Sequence, residues 1–503
     1  MKKISALLAS LCAALALTAT ASAASFGVAD PTGAFAPDCG RAFFGMLNDV
    51  GYTQNRVAIL WDATHPTTIV DGAALDLSVA CARLHGIELV FDVSPLRARS
   101  LGESPAAIPQ FVAFLELLAR RYPLVTHYVV GNEPNLSRFM QPQFAPDGSI
   151  VSAALSAQML AASYDALKAV NPSITVFGLG LSPRGNDDPH ASSNVSTSPV
   201  RFIDALGKAY RESGRNRPIA DGLAFHPYPP SNTAGLDAGY AWPNAGLANL
   251  DRVKQAWHDA FAGTAQPTFG AGSSFRFKLD EVGWQVGIVP ESMHAYEGRE
   301  NVTTTDEATQ AQIYGDIVRR TSCDSSVEAV LFFDLIDERR LAGWQAGQIR
   351  ADGTRRPSYE AVKRAIAETG GRCPGETTSW RPQTSVAAPT VQWGRLGRKP
   401  AYTKSWSFIA SSAEDAAFTA GLYRAATRRS ARTLAGRRPS ARLVLAAKGR
   451  MKANYSRAVR FPSRRLKPGT YFYRLRLSAA MNPKRTSVVV SKTFRVLKAR
   501  KRR

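Results

Sequence analysis

Two short runs hold the residues best suited to chemistry. In VVGNEPN, residues 129–135, an apolar stretch ends on Asn132 and Glu133 before Pro134 breaks it. In KLDEVGWQ, residues 278–285, a second stretch ends near Asp280 and Glu281. Two carboxyls facing one another across a pocket suit the cleavage of a glycosidic bond. One gives a proton to the departing sugar oxygen, and the other attacks the anomeric carbon or activates water. His226 and Tyr228 of the run HPY, Asn132 and Arg56 are of the types that hold sugar hydroxyls or orient a carboxylate. Trp61, Trp284 and Trp344 have flat rings that suit the apolar faces of sugars. None of this requires a metal or a cofactor.

Each of these residues also has a plainer role open to it. Glu133 fits a surface turn before a proline, and Glu281 fits a structural ion pair. Asp280, next to Glu281, points the opposite way in a regular strand and reads as structural. Arg56 fits the neutralisation of a buried carboxylate, and His226 a supporting position behind the site. Trp61 and Trp284 fit the core equally well. Asp62, Asp334 and Asp337 are either hydroxyl ligands or solvated loop acids.

The elements that must place these residues alternate along the first part of the chain. Short, nearly continuous apolar runs occur at 26–30, 56–62, 87–93, 125–132, 174–181, 222–228, 275–282 and 327–334. Such runs are expected of strands buried on both faces. Between them lie segments of helical spacing, such as Phe111, Phe114, Leu115 and Leu118. The helix before the eighth strand is expected to open with a capping box from Thr304 to Glu307. A last helix is expected over 358–368. Eight strand–helix units predict a (β/α)8 barrel, in which strand ends converge on one pocket. The rival is a doubly wound open sheet, whose usual Gly-rich loop after the first strand is missing from FGVADPTGAFAP.

The texture then changes. Residues 374–390 are rich in Pro, Ser and Thr and read as a linker. Beyond them, TKSWSFIAS, ARLVLAA, TYFYRLRLS and SVVVSKTFRV read as strands of a small immunoglobulin-like or fibronectin-like β-sandwich over 391–503, ending in a basic tail. The charge divides at the same place. From Glu376 onward there are 31 basic and 3 acidic residues, against 32 and 37 before it. A mildly acidic body of 24–373 thus carries a strongly basic appendage. That charge suits an anionic cell-wall polymer or merely solubility. Nucleic acid is a weaker reading, because no recognition motif accompanies the charge.

At the N-terminus, Lys2 and Lys3, an apolar run and Ala21, Ser22 and Ala23 read as a secretory signal ending at Ala23. The expected location is therefore outside the cell or on its wall. No later apolar run approaches the roughly 20 residues of a membrane helix. Cys12 leaves with the signal. The four that remain suggest two disulfides in an exported chain, with Cys39–Cys81 and Cys323–Cys373 favoured over the other two pairings.

NEP closing the fourth strand, HPY the sixth and DEVGW the seventh together resemble glycoside hydrolase clan A, most closely families five and thirty-nine. The resemblance covers residues 25–370. It implies a retaining (β/α)8 glycosidase acting on the β-linked sugars of an oligo- or polysaccharide. Glu133 would be the acid/base and Glu281 the nucleophile. Asn132 would hold the sugar 2-hydroxyl, Tyr228 would hydrogen-bond Glu281, His226 would line the site, and Arg56 would pair with Glu281. Many relatives end the eighth strand on a tryptophan that floors the sugar site. This chain has LFFDLIDE there, leaving Phe333 or Trp344 to fill the place. A non-catalytic carbohydrate-binding or wall-associated adhesion protein on the same scaffold is the alternative, which would need neither glutamate.

Overall fold

A computed structural model describes residues 24–370, 373, 375–394, 406–425 and 441–498. The expected signal segment and the basic tail lie outside the described residues. Eight parallel strands close into a barrel in sequence order. They are β1 (Ser25–Ala29), β2 (Gln54–Trp61), β3 (Glu88–Pro95), β4 (His127–Val130), β5 (Thr175–Leu181), β6 (Gly222–Phe225), β7 (Phe277–Val282) and β8 (Val327–Phe332). All eight expected strands are present, with ends shifted by a few residues. The surrounding helices are α1 (Arg41–Val50), α2 (Gly72–Leu84), α3 (Ala107–Arg121), α4 (Val151–Val170), α5 (Pro199–Glu212), α6 (Leu250–Phe261), α7 (Glu307–Thr321) and α8 (Pro357–Thr369).

The helices form because each has an apolar stripe to bury. In α3, Phe111, Phe114, Leu115 and Leu118 are all buried, as their spacing predicts. The start of α7 differs from expectation. Asp306, not Thr304, is the N-cap, and its carboxylate accepts the Thr309 amide at 2.8 Å. An aspartate two positions closer to the helix satisfies the exposed amides better than the threonine can.

Inside the barrel, inward side chains stack in layers set by the two-residue repeat of a strand. Gln54 and Lys278 lie low in the barrel, where the Lys278 ammonium bonds Gln54 at 3.0 Å and pairs with Glu328 at 2.8 Å. Two residues further along the same strands stand Arg56 and Asp280, with Asp92 on β3. Polar residues thus replace the usual aliphatic filling toward the C-terminal end, where the pocket opens.

Past the barrel come β9 (Thr390–Gln392), β10 (Trp406–Ser411), β11 (Ala416–Ala425), β12 (Ala441–Met451), β13 (Arg457–Phe461), β14 (Gly469–Ala479), β15 (Thr486–Val490) and β16 (Phe494–Val496). They form an antiparallel sheet β13-β10-β9 and a second sheet β12-β11-β14-β15, with β16 on β14. Trp406 and Phe408 from the first sheet and Leu422, Tyr473 and Leu475 from the second share one core, so the unit is a sandwich.

The disulfides are Cys39–Cys81 and Cys323–Cys373, the favoured pairing. The first ties the entry of α1 to α2. The second ties the segment after α7 to the segment after α8. No described helix is long and apolar enough to cross a membrane.

Candidate active site

The C-terminal ends of β1, β2, β3, β4, β7 and β8 surround a cavity of about 580 Å³. Arg56, Asp92, Asn132, Glu281, Phe333 and Asp334 are among the residues lining it.

Arg56 organises the floor. It is 5% exposed, and each guanidinium nitrogen serves a different acid. Nη2 lies 2.7 Å from Asp92, Nε 3.1 Å from Asp280 and Nη1 3.0 Å from Glu281. Nη2 also donates to the Asn132 side-chain oxygen at 2.9 Å. Burial would push the guanidinium toward neutrality, but Asp92, Glu281 and Asp280 outweigh it and raise its pKa further. Asp92 is raised to about 6, because burial costs its anion more than Arg56 returns.

His226, fully buried at the end of β6, links the two glutamates. Its Nδ1 lies 3.1 Å from Glu133 Oε1 and 3.4 Å from Glu281 Oε2, and its Nε2 lies 3.4 Å from Asp280. Burial alone would lower its pKa. The carboxylates of Glu281 and Asp280 and hydrogen bonds to Asp280 and Glu133 more than reverse this, and the pKa is raised well above the ordinary histidine value. Asp280 answers in kind: burial raises it, but His226 and Arg56 pull it below the usual aspartate range. Tyr228 donates its hydroxyl to Glu281 Oε2 at 2.9 Å. Burial first, then Glu281 and Glu133, raise the phenol well above its ordinary value, so it remains a donor.

Local backbone features allow this convergence. Asp280 follows Lys278 on the inward side of β7, so strict alternation would turn Glu281 away. The pairing of β7 with β8 shifts register between Leu279 and Val282, and both acids face Arg56. Asp280 pairs with Arg56 and His226 and so points toward the site, not away from it as strand alternation beside an inward Glu281 predicts. Glu133 itself has φ of 40°, a left-handed conformation that costs a non-glycine residue energy. Its amide bonds the Gly180 carbonyl at 3.0 Å. Gly180 also has positive φ, and a Cβ there would stand 2.8 Å from His226 Nε2. Only glycine lets the imidazole sit between the glutamates.

The structure therefore brings Glu133, Glu281, Asn132, His226, Tyr228 and Arg56 together. Trp344 also arrives, from the loop after β8, with its ring 5.0 Å from that of Tyr228. Phe333 stands edge-on to Trp344 at 5.6 Å. Both candidates for the missing strand-eight tryptophan thus take part in one aromatic cluster.

Trp61 and Trp284 do not arrive. Trp61 is fully buried and packs edge-on against Phe111 of α3 at 5.5 Å. Trp284 is 1% exposed and donates its indole N–H to the Ala234 carbonyl at 2.9 Å. Both belong to the core: Trp61 at the end of β2 turns toward α3, and Trp284, just past β7, is held by Ala234 and, through its amide, by the Tyr314 hydroxyl of α7. Asp337 is likewise engaged, in a buried pair with Arg356 at 2.6 Å. Asp62 lies outside the pocket and accepts hydrogen bonds from Thr64 at 2.7 and 2.9 Å.

Asp334 is the residue whose setting the sequence did not reveal. It is 5% exposed, lines the cavity beside Phe333, and no hydrogen bond or ion pair to its carboxyl is found among the described residues. Burial, followed by the nearby acids Asp30, Glu338, Glu281 and Asp337, raises its pKa well above the aspartate value. No group of three or more His, Cys, Asp or Glu among the described residues is arranged to hold a metal ion.

No protein-family model matches the chain, and no curated protein sequence matches it. Among solved structures, the chain is similar to a family 39 glycoside hydrolase from Bacteroides cellulosilyticus WH2, at 14% identity, covering 88% of this chain and 81% of that one with a TM-score of 0.46. It is similar to a glucosidase from Croceicoccus marinus at 14% identity, covering 89% and 94% with a TM-score of 0.46. It is also similar to GH5_18 from Streptomyces cattleya in complex with GlcNAc, at 17% identity, covering 76% and 85% with a TM-score of 0.46. These likenesses are distant, and the chemistry is read from the chain's own side chains.

Proposed function

We propose that this chain is an exported, retaining glycoside hydrolase of the clan A type, acting on β-linked sugars of an oligo- or polysaccharide. One observation carries the reading. Glu133 and Glu281 approach the same imidazole nitrogen, at 3.1 and 3.4 Å, so the two contacting oxygens are no further apart than the sum of those distances, about 6.5 Å. Retaining enzymes hold their carboxyls about 5–5.5 Å apart, and inverting enzymes about 6.5–9.5 Å. The bound admits the retaining separation, which is the geometry for direct attack.

In the first step Glu133 gives its proton to the glycosidic oxygen as the bond to the anomeric carbon breaks. Glu281 forms a bond to that carbon from the opposite face, giving a glycosyl ester. Arg56 and Tyr228 fix Glu281 before attack. Water then enters, Glu133 takes its proton, and the hydroxide displaces Glu281. Two inversions leave the original configuration. Asn132, held by Arg56, is placed to meet the sugar 2-hydroxyl, and Phe333 with Trp344 supplies the apolar wall. The basic sandwich, in this reading, fastens the enzyme to an acidic polymer outside the cell.

The test is Glu281→Ala assayed on activated aryl β-glycosides. Hydrolysis should fall by several orders of magnitude, and added azide should restore cleavage to give the inverted glycosyl azide. Unchanged turnover in the variant would remove Glu281 as nucleophile.

A further inference from the structure

The sandwich offers a face that nothing in the hydrolase chemistry uses. Side chains alternate across the sheet β12-β11-β14-β15. One face closes on the core through Leu422, Tyr473, Leu475 and Leu477. The other is set by the register. Lys448, Thr419, Arg476 and Val488 form one row across the four strands, and Ala446, Gly421, Arg474 and Val490 form the next. Leu443, Tyr423 and Phe472 form a third. A shallow cavity of about 490 Å³ lies over the β12, β11 and β14 part of this face, lined by Lys448, Arg474, Arg476, Tyr423 and Leu443 among others.

This surface is both cationic and apolar. Lys448, Arg474 and Arg476 are exposed. Leu443 is 49% exposed and Val488 43%. The Tyr423 ring stacks on Phe472 with centroids 5.4 Å apart, and it occupies the space above Gly421, where a Cβ would meet it at 2.4 Å. The absence of a side chain at Gly421 thus lets the Tyr423 ring lie down on the sheet, next to the small exposed Ala446 and the cations of the neighbouring rows.

No acid is at hand to neutralise the cations. Only Glu376, Glu414 and Asp415 are acidic from 376 onward. Glu414 pairs with Arg485 at 2.8 Å and Asp415 with Arg201 of α5 at 3.2 Å, both toward the barrel. Among the described residues, Lys448, Arg474 and Arg476 have no ion-pair partner.

We propose that this face is a binding site for a linear acidic polysaccharide. Its carboxylate, sulfate or phosphate groups meet Lys448, Arg474 and Arg476, and its sugar rings lie along Tyr423, Leu443 and Val488. The proposal rests on the anchoring role given above to the basic sandwich and assigns that role to one surface. An extended chain fits because Arg474 and Arg476 are two residues apart on one strand, about 7 Å. Lys448 and Arg476 are two strands apart, about 10 Å. The apolar border distinguishes the face from a purely electrostatic one, and the face of a sheet offers no helix or ribbon to enter a duplex groove.

The test uses the full chain carrying Glu281→Ala, so that no probe is cleaved, titrated with polygalacturonate at about 0.15 M salt. The combined variant Lys448→Gln, Arg474→Gln, Arg476→Gln should lose about tenfold or more in affinity and show a shallower salt dependence. A control removing the same charge from other exposed positions, Arg460→Gln, Arg465→Gln, Lys492→Gln, should lose less than about threefold. Tyr423→Ala should weaken polygalacturonate with little change in salt dependence. Equal losses in the two triple variants would overturn the assignment to this face while leaving an anchoring sandwich in place. No binding by the parent chain would overturn the anchoring role as well. Tighter binding to duplex DNA or to phosphatidylglycerol vesicles than to polygalacturonate would also overturn the proposal.

Discussion

Arg56 shows at the scale of one residue how a buried charge is tolerated. A cation in the barrel is costly unless its partners are close and well oriented. Three carboxylates and one amide meet its guanidinium, and those partners depend on it equally. Arg56→Met should therefore destabilise the fold by about 3–5 kcal/mol, since it strands buried acids. Arg56→Lys should keep more of the stability but lower kcat, because a point charge cannot serve three acids from three nitrogens. Urea unfolding and aryl glycoside kinetics measure the two effects; a lysine variant with wild-type kcat would remove the positioning role. Asp334 presents the opposite case, a buried acid whose pKa is raised by burial and by the neighbouring acids Asp30, Glu338, Glu281 and Asp337. Unfolded, it titrates near about 3.9. Below that pH both states hold the proton and burial carries no charge penalty. As pH rises from there toward the raised folded value, the folded chain keeps a proton that the unfolded chain has lost, so stability falls until the folded carboxyl ionises as well. Asp334→Asn, neutral throughout, should thus raise the melting temperature near neutral pH and leave it almost unchanged near the unfolded pKa. A gain that is the same at both pH values would mean that the carboxyl's charge is not the cause.

At the scale of elements, the strand ends were the legible part of this sequence. Apolar runs flanked by Asn132-Glu133, His226-Pro227-Tyr228 and Asp280-Glu281 give both the barrel and the rim, because strands buried on both faces are mostly apolar and polar clusters gather where they end. Direction around the strand was harder to read. The register shift that swings Glu281 inward leaves no mark in LDEV, and nothing in the residue type tells the buried Trp61 and Trp284 from Trp344, whose ring reaches Tyr228. The central strand β11, AAFTAGLYRA, is not legible in the sequence, because alanine and glycine give it little strand signal. Its ten residues are held by ladders to β12 and β14 on both sides. The three tryptophans separate core from site experimentally. Trp61→Ala should cost about 3–5 kcal/mol of stability, as expected for an emptied core position. Trp344→Ala should leave the melting temperature nearly unchanged and raise KM about tenfold, about 1.4 kcal/mol of lost sugar contact. If Trp344→Ala instead unfolds the chain while KM holds, the aromatic cluster is structural and the sugar wall lies elsewhere.

The whole molecule joins two bodies of opposite charge, and the joint is itself ionic. Arg485, 5% exposed, reaches from the β14–β15 turn to Asp259 of α6 at 2.6 Å while holding Glu414 at 2.8 Å. Asn482 bonds the other Asp259 oxygen at 2.9 Å, and Arg201 of α5 meets Asp415. Two of the sandwich's few acids are thus committed near the barrel, which leaves its remaining surface almost uniformly basic. Docking and surface charge therefore come from the same distribution of residues. The consequence is that the two bodies should unfold together only while the joint holds. Arg485→Ala leaves Asp259 and Glu414 without their cation, a loss of about 3–5 kcal/mol where the pair is buried. Calorimetry of the parent chain should give one transition, and the variant should give two, the sandwich melting first. Aryl glycoside hydrolysis by the variant should be unchanged below the first transition, because no catalytic side chain touches the joint. A single transition in Arg485→Ala, at the parent's temperature, would show that apolar contact and not this ion pair couples the bodies.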